Sequence, residues 1–461
     1  MVQWELLDRG GRHLKYEFCK RLTREAICCE CDWGQVRGRG SRGDQKQAGN
    51  RLVSARAARY ISGGVKLQDQ PPLHLTYGLS IHRDETWTDL QASIRDKARA
   101  VRDRVAPGKA FGLGLRISDA VSRELAEGDN LPRFRQFLQD NGLYVFTLNG
   151  FPFGRFRGER VKEQVYAPDW RTEERLDYTR RLADLLAALL PEGVSGSIST
   201  VPGSFRGWIS GPADLERITD QLARAVAHLA DLRGKTGREI HLGLEPEPGC
   251  LFENPDELIR FMKEWIWPRG GRRIAREVGC SRAVAEEMVR RHGGVCLDTS
   301  HVAVCFEDPE EALQQCRAAG LRISKVQLSA ALEADATGWA SLRRFEEPVY
   351  LHQTVAVFGG GRRQAWLDLP EAMAELDRLS GVRAVRVHFH VPLHFAGVAG
   401  LRSTAFTLQP SFFRALQDGA TEHVEIETYS FDVLPGGTPG AVIESVAGEY
   451  RWVLRRLVRE N

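Results

Sequence analysis

From Leu73 onward, short apolar runs alternate with amphipathic stretches. The runs are HLTYGLSIH (74–82), AFGLGLRIS (110–118), LYVFTLNGF (143–151), GSISTV (196–201), EIHLGLEPE (239–247), GGVCLDTS (293–300), ISKVQLSA (323–330), AVRVHFHV (384–391) and HVEIETYSF (423–431). They have strand length and recur regularly along the chain, which makes them candidate strands. Between most of them apolar residues recur three and four apart, as in WTDLQASIRDKARAVRDRV (87–105), which predicts helices packed by one face. RLDYTRRLADLLAALLPEG (175–193) runs into Pro-Glu-Gly, and DLERITDQLARAVAHLADLRG (214–234) ends in Gly, both helix stop signals.

Strand and helix in alternation predict a parallel sheet, and this many units predict an α/β chain folded as a (β/α)8 TIM barrel with insertions. A doubly wound open sheet is the competing architecture, but no GxGxxG follows the first run. Nine runs are one too many for eight positions, so residues 331–383 are read as an insertion before the last strand. The HFH segment then belongs to that insertion or runs beside the barrel mouth. The barrel is assigned to 73–461 and an N-terminal extension to 1–72. Residues 34–50 are Gly, Arg and Gln with little to bury, and disorder is expected there. Cys19, Cys28, Cys29 and Cys31, with His13, lack the paired spacing of a zinc site, so an unliganded tail is expected.

Composition narrows the class. The 461-residue chain carries 64 basic and 61 acidic residues, a net charge of +3, which calls for no nucleic-acid partner. No apolar run approaches the ~18 residues of a membrane span, and the start lacks a secretory signal. Nine cysteines, an odd number, suit a reducing compartment. The expectation is a soluble, cytoplasmic protein without membrane insertion, acting on a small-molecule metabolite.

The chemistry gathers at the ends of the runs, where barrel enzymes place their sites. Glu245 and Glu247 lie two apart on one strand face, stiffened by the interleaved prolines. Asp298 and His301 form Asp-x-x-His, a carboxylate ligand with a histidine for proton transfer or substrate binding. The competing reading of Asp298 as a helix N-cap is less favoured, because the next segment DPEEALQQC carries its own cap in Asp308. Glu425 and Glu427 flank Ile426, and a strand carboxylate is costly to bury unless paired or metal-bound; Glu427, nearer the strand end, is the favoured ligand. His388 and His390 share a face, with His394 beyond Pro392. His82, Asn149, Thr200 and Gln327 add polar groups at other strand ends, His82 and Asn149 being placed with Glu247 and His388 on the substrate side. Gly359-Gly360-Gly361-Arg362-Arg363 lacks the Lys-Ser/Thr of a phosphate loop and reads as an insertion hinge.

Glu at strand five, Asp-x-x-His at strand six, a polar residue at strand seven and Glu at strand eight resemble the xylose-isomerase-like barrels, which include sugar and sugar-phosphate isomerases and epimerases and endonuclease IV-type enzymes. More narrowly, HLTYGLSIHRDETW, LYVFTLNGFPFG, VKEQVYAPDW, GSISTVPGSF, LGLEPEPGC, CLDTSH, VHFHVPLH and EIETYSF resemble the metabolite traffic protein EboE family, from about Leu73 to the C-terminus. The resemblance implies a divalent metal (Mn, Mg, Zn or Co) on Glu245, Asp298 and Glu427, with His301 as helper and with Glu245 and Glu427 as the proton-transferring pair. At strand seven the epimerases carry a histidine ligand where this chain has Gln327. Either Gln327 coordinates weakly, or His388 or His390 takes the histidine's place, or the site has left isomerase chemistry. The implied activities are a metal-dependent sugar (phosphate) isomerase or epimerase, or a non-catalytic accessory of metabolite traffic linked to membrane proteins of an export cluster. An endonuclease on abasic DNA is disfavoured by the balanced charge.

Overall fold

Eight of the nine apolar runs become neighbouring parallel strands. The computed structural model describes residues 66–82, 84–154, 161–336, 338–398, 400–430 and 441–457. The leader's expected disorder and its Cys and His residues lie outside the described residues.

The strands, in chain order, are β1 (Lys66–Asp69), β2 (Pro72–Tyr77), β3 (Phe111–Arg116), β4 (Leu143–Asn149), β5 (Gly196–Thr200), β6 (Ile240–Leu244), β7 (Gly293–Asp298), β8 (Arg322–Leu328), β9 (Leu332–Asp335), β10 (Thr354–Phe358), β11 (Arg363–Trp366), β12 (Val382–Val387), β13 (Leu401–Ser403) and β14 (His423–Ile426). One sheet has the order β1-β2-β14-β8-β7-β6-β5-β4-β3. All its pairings are parallel except that of β1 with β2. A parallel bridge from Gly78 to Gly114 joins β2 to β3 and closes the ring. The result is an eight-stranded (β/α)8 TIM barrel of the expected class, with β1 as an outer strand. Residues 66–72, grouped with the leader by composition, form β1, its turn and the first residue of β2.

The helices follow their sequence signals, with one correction. The 87–105 stretch opens with a Thr86–Asp89 capping box and keeps Leu90, Ile94, Ala98 and Val101 buried through a central π-helical turn. Thr172 caps Glu173–Leu189. Pro212–Thr236 begins on proline and runs through Gly234, the expected stop, to Gly237 at φ 70°. Gly237 takes the left-handed conformation that a helix terminus needs, and Gly234 does not. The buried face of this helix (Ile218, Leu222, Ala225, Val226, Leu229) carries it past the weak residue.

The ninth run is not a barrel strand. It is β12, in a separate antiparallel sheet of order β11-β10-β12-β9-β13. The inserted sheet therefore extends to Ser403, beyond the expected 383, because β13 pairs with β9. Gly359–Gly361 make the hairpin turn between β10 and β11 rather than a hinge: Phe358 N–H donates to Arg362 O at 2.8 Å, and the Arg362 guanidinium lies 3.7 Å from the Phe358 ring centre.

This sheet is clasped to the loop after β4. Val161 and Lys162 N–H both donate to Val349 O (2.9 and 2.8 Å). Lys162 Nζ reaches Asp368 Oδ2 (2.5 Å) and Tyr350 O (2.6 Å). Val391 N–H donates to Ala330 O, just past the end of β8. The insertion thus lies over the C-terminal ends of the strands. No described helix is long and apolar enough to cross a membrane.

Candidate metal centre

Strand ends and insertion meet in a cavity of about 710 Å³, its open mouth included. Glu245, Glu247, His301, His388, His390, Asn149 and Glu427 line it. Phe151, Val165, Tyr166, Leu351 and Tyr429 form its less polar walls.

Asp298 fills both roles that its sequence position offers. Its Oδ1 caps the helix Thr299–Val304, accepting from Ser300 N (2.7 Å) and His301 N (3.0 Å), and also from Ser329 Oγ (2.6 Å). Its Oδ2 is buried without a partner. Glu245 Oε2 and Glu427 Oε2 are buried and unpartnered in the same way, while Asn149 Nδ2 donates to Glu427 Oε1 at 3.1 Å. Such orphan oxygens cost free energy unless a cation or proton meets them. Burial pushes Glu245 up to about 8 and Glu427 well above the usual carboxylate range, each reinforced by neighbouring acids. For Asp298 burial acts upward too, but His301, His390 and the Ser329 hydroxyl hold it below its ordinary value.

Three histidines stand over these carboxylates. His301 Nδ1 lies 2.9 Å from Pro246 O, His390 Nδ1 3.0 Å from Glu427 O, and His388 Nδ1 2.6 Å from Gln353 Oε1. Burial lowers His390 to about 4 and His388 well below 6.5. His301 is raised: burial opposes its charge, but Asp298, Glu247 and Glu245 outweigh burial. Three triads have donor atoms within 4.8 Å of one another: His301–His388–His390, Glu245–Asp298–His301 and Asp298–His390–Glu427. The donor set of carboxylate and imidazole fits a divalent transition ion.

The expected residues separate into two groups. Glu245, Glu247, Asp298, His301, His388, His390, Asn149 and Glu427 come together. His82 does not line the cavity; its Nε2 pairs with Tyr77 Oη at 2.8 Å. Gln327 is fully buried outside the lining, and its Oε1, the atom a metal would need, accepts from Cys296 Sγ at 2.7 Å. Thr200 Oγ1 accepts from Trp170 Nε1. His394 is exposed, beside Gly448 of the C-terminal helix. Glu425, on the same strand face as Glu427, instead pairs with Lys325, both fully buried.

Sequence reasoning missed Tyr166, Gln353 and Lys325. Tyr166 Oη and Gln353 Nε2 donate to Glu247 Oε1 (3.0 and 3.1 Å). Lys325 had a signal, a lysine inside the apolar run ISKVQL. Gln353 had none, since its place depends on how the insertion folds back.

No protein-family model and no curated protein matches the chain. Among solved structures, it is similar to a xylose isomerase domain protein from Planctomyces limnophilus (14% identity, 78% of this chain and 93% of that one, TM-score 0.43). It is also similar to an L-ribulose 3-epimerase (12%, 84% and 94%, 0.43) and to the IOLI protein with a bound zinc atom (12%, 83% and 97%, 0.42). Such distant likenesses carry no argument about activity, and the barrel stands on its own strand order.

Proposed function

We propose that this protein is a divalent-metal enzyme that moves a proton beside a carbonyl in a small polyhydroxylated metabolite, as isomerases and epimerases do. The observation that carries the reading is the trio of buried, unpartnered carboxylate oxygens on Glu245, Asp298 and Glu427. These residues would hold the ion, since Asp298 falls in one donor triad with Glu245 and in another with Glu427, while the Gln327 oxygen is taken by Cys296. When bound, the ion supplies Lewis-acid polarisation of a carbonyl.

The chain's own groups do the rest. Glu245 follows β6 and Glu427 follows β14, with β7 and β8 between them in the ring, so they reach a bound substrate from different sides. One removes the proton and the other returns it. Asn149 orients Glu427, and Glu247, fixed by Tyr166 and Gln353, receives substrate hydroxyls.

A second reading is favoured by Gln327, which replaces an expected histidine: a pocket that binds a metabolite without turning it over, as the resemblance to a metabolite-traffic family implies. One experiment separates the two. Metal-loaded protein is incubated with a panel of aldoses and ketoses in D2O and followed by NMR. Deuterium entering the carbon next to the carbonyl, and lost in Glu245→Gln and Glu427→Gln, supports the enzyme. Ligand-induced stabilisation without exchange supports the binding protein.

A further inference from the structure

The inserted segment places two histidines, His388 and His390, opposite His301 of the barrel. The rings of His301 and His388 are 4.6 Å apart and those of His388 and His390 5.1 Å, and all three residues are at least nine-tenths buried. Their tautomers are set by their partners. Pro246 O and Glu427 O are carbonyls and can only accept, so Nδ1 of His301 and of His390 carries the hydrogen. Gln353 Nε2 donates to Glu247 Oε1 and Pro248 O, which turns its Oε1 to His388 and puts the hydrogen on that Nδ1 as well.

With Nδ1 committed on every ring, Nε2 is the nitrogen each has left to offer a cation. His388 Nε2 and His390 Nε2 face each other at 3.0 Å. Two acceptors at that distance repel unless something positive lies against both. The Tyr429 hydroxyl, 3.3 Å from His388 Nε2, can donate to one of them only. Imidazoles anchored through one nitrogen to an oxygen acceptor, with the other nitrogens converging, are the arrangement by which proteins hold transition ions.

We propose that His301, His388 and His390 form a second cation site, separate from the carboxylate set and selective for a borderline ion such as Zn(II) or Co(II). Three protein ligands leave the side toward the cavity open to a substrate donor, the pattern of catalytic rather than structural zinc sites. The site comes from the insertion as much as from the barrel. The proposal rests on the preceding reading in one respect, that the carboxylates take an ion of their own. His301 and His390 then serve as ligands rather than proton carriers.

The test strips the full chain with a chelator and reloads it with Co(II), read by elemental analysis and by the visible absorption of the cobalt. The expected result is a second equivalent of cobalt, with the intense bands of a low-coordinate, imidazole-rich site. His388→Ala and His390→Gln should each lose that equivalent and the bands but keep the other ion. Glu427→Gln should keep the bands and lose the other ion. A single equivalent lost in all three variants, or bands unchanged by both histidine substitutions, overturns the proposal. Bands that persist while wild-type protein shows no second, oxygen-bound ion would sink the carboxylate reading and leave the histidine site standing. The wild-type spectrum is informative even if a variant fails to fold.

Discussion

Asp298 shows how one side chain serves fold and chemistry together, since one of its oxygens caps a helix and the other has no partner. Asp298→Asn keeps a capping oxygen and removes the charge. Its stability should change by less than about 1 kcal/mol, the range of a modified cap, while metal retention falls, as thermal melts and elemental analysis would show. Glu449 offers a pH test away from the cavity. Buried, with Thr428 Oγ1 and Leu393 N donating to one oxygen, it is pushed up to about 7 from 4.5. The folded state thus holds this proton more tightly than the unfolded state does. Its contribution is fully present below pH 4.5 and is lost as pH rises through 7. Glu449→Gln should therefore gain on wild type between pH 4 and pH 8 by roughly 2–3 kcal/mol, read from urea unfolding at the two pH values. No relative gain would contradict the assignment.

Among elements, β8 and β14 are joined inside the barrel by Lys325 and Glu425, a fully buried ion pair. Gly114 on β3 leaves room for it, because a Cβ there would collide with Glu425 Oε1. Lys325→Met strands a buried carboxylate and should cost about 3–5 kcal/mol, whereas Lys325→Met with Glu425→Leu should recover most of it. Chemical denaturation of both variants decides this; equal losses would mean that the pair is not coupled. The barrel strands were legible in the sequence because burial on both faces leaves an apolar run. The inserted sheet was half legible. Its β12 has the same apolar signature as a barrel strand, and only its antiparallel partners β9 and β10 mark it as something else. The Gly234 stop failed because packing along one helix face outweighs a single glycine.

For the molecule as a whole, the site lies between barrel and insertion, which explains what sequence could and could not show. Glu245, Asp298 and Glu427 occupy strand ends and follow from barrel geometry. Tyr166 reaches the cavity wall, and Gln353 reaches Glu247 and His388 behind it, through long-range folding that no local spacing encodes, while Gln327 near the end of β8 and His82 in the turn Leu79–His82 have other partners. The roof depends on the Lys162–Asp368 clasp. Lys162→Met should speed amide hydrogen exchange at 161–166 and 349–352 with little change at β7 and β8, measured by mass spectrometry. The central claim is that the three orphan carboxylates share a divalent ion, and dialysis of wild-type, Glu245→Gln and Glu427→Gln proteins against Mn(II), followed by elemental analysis and circular dichroism, tests it most directly. Retained metal in wild type and its loss from both folded variants is the predicted result; equal retention in all three, or none in wild type, would contradict it.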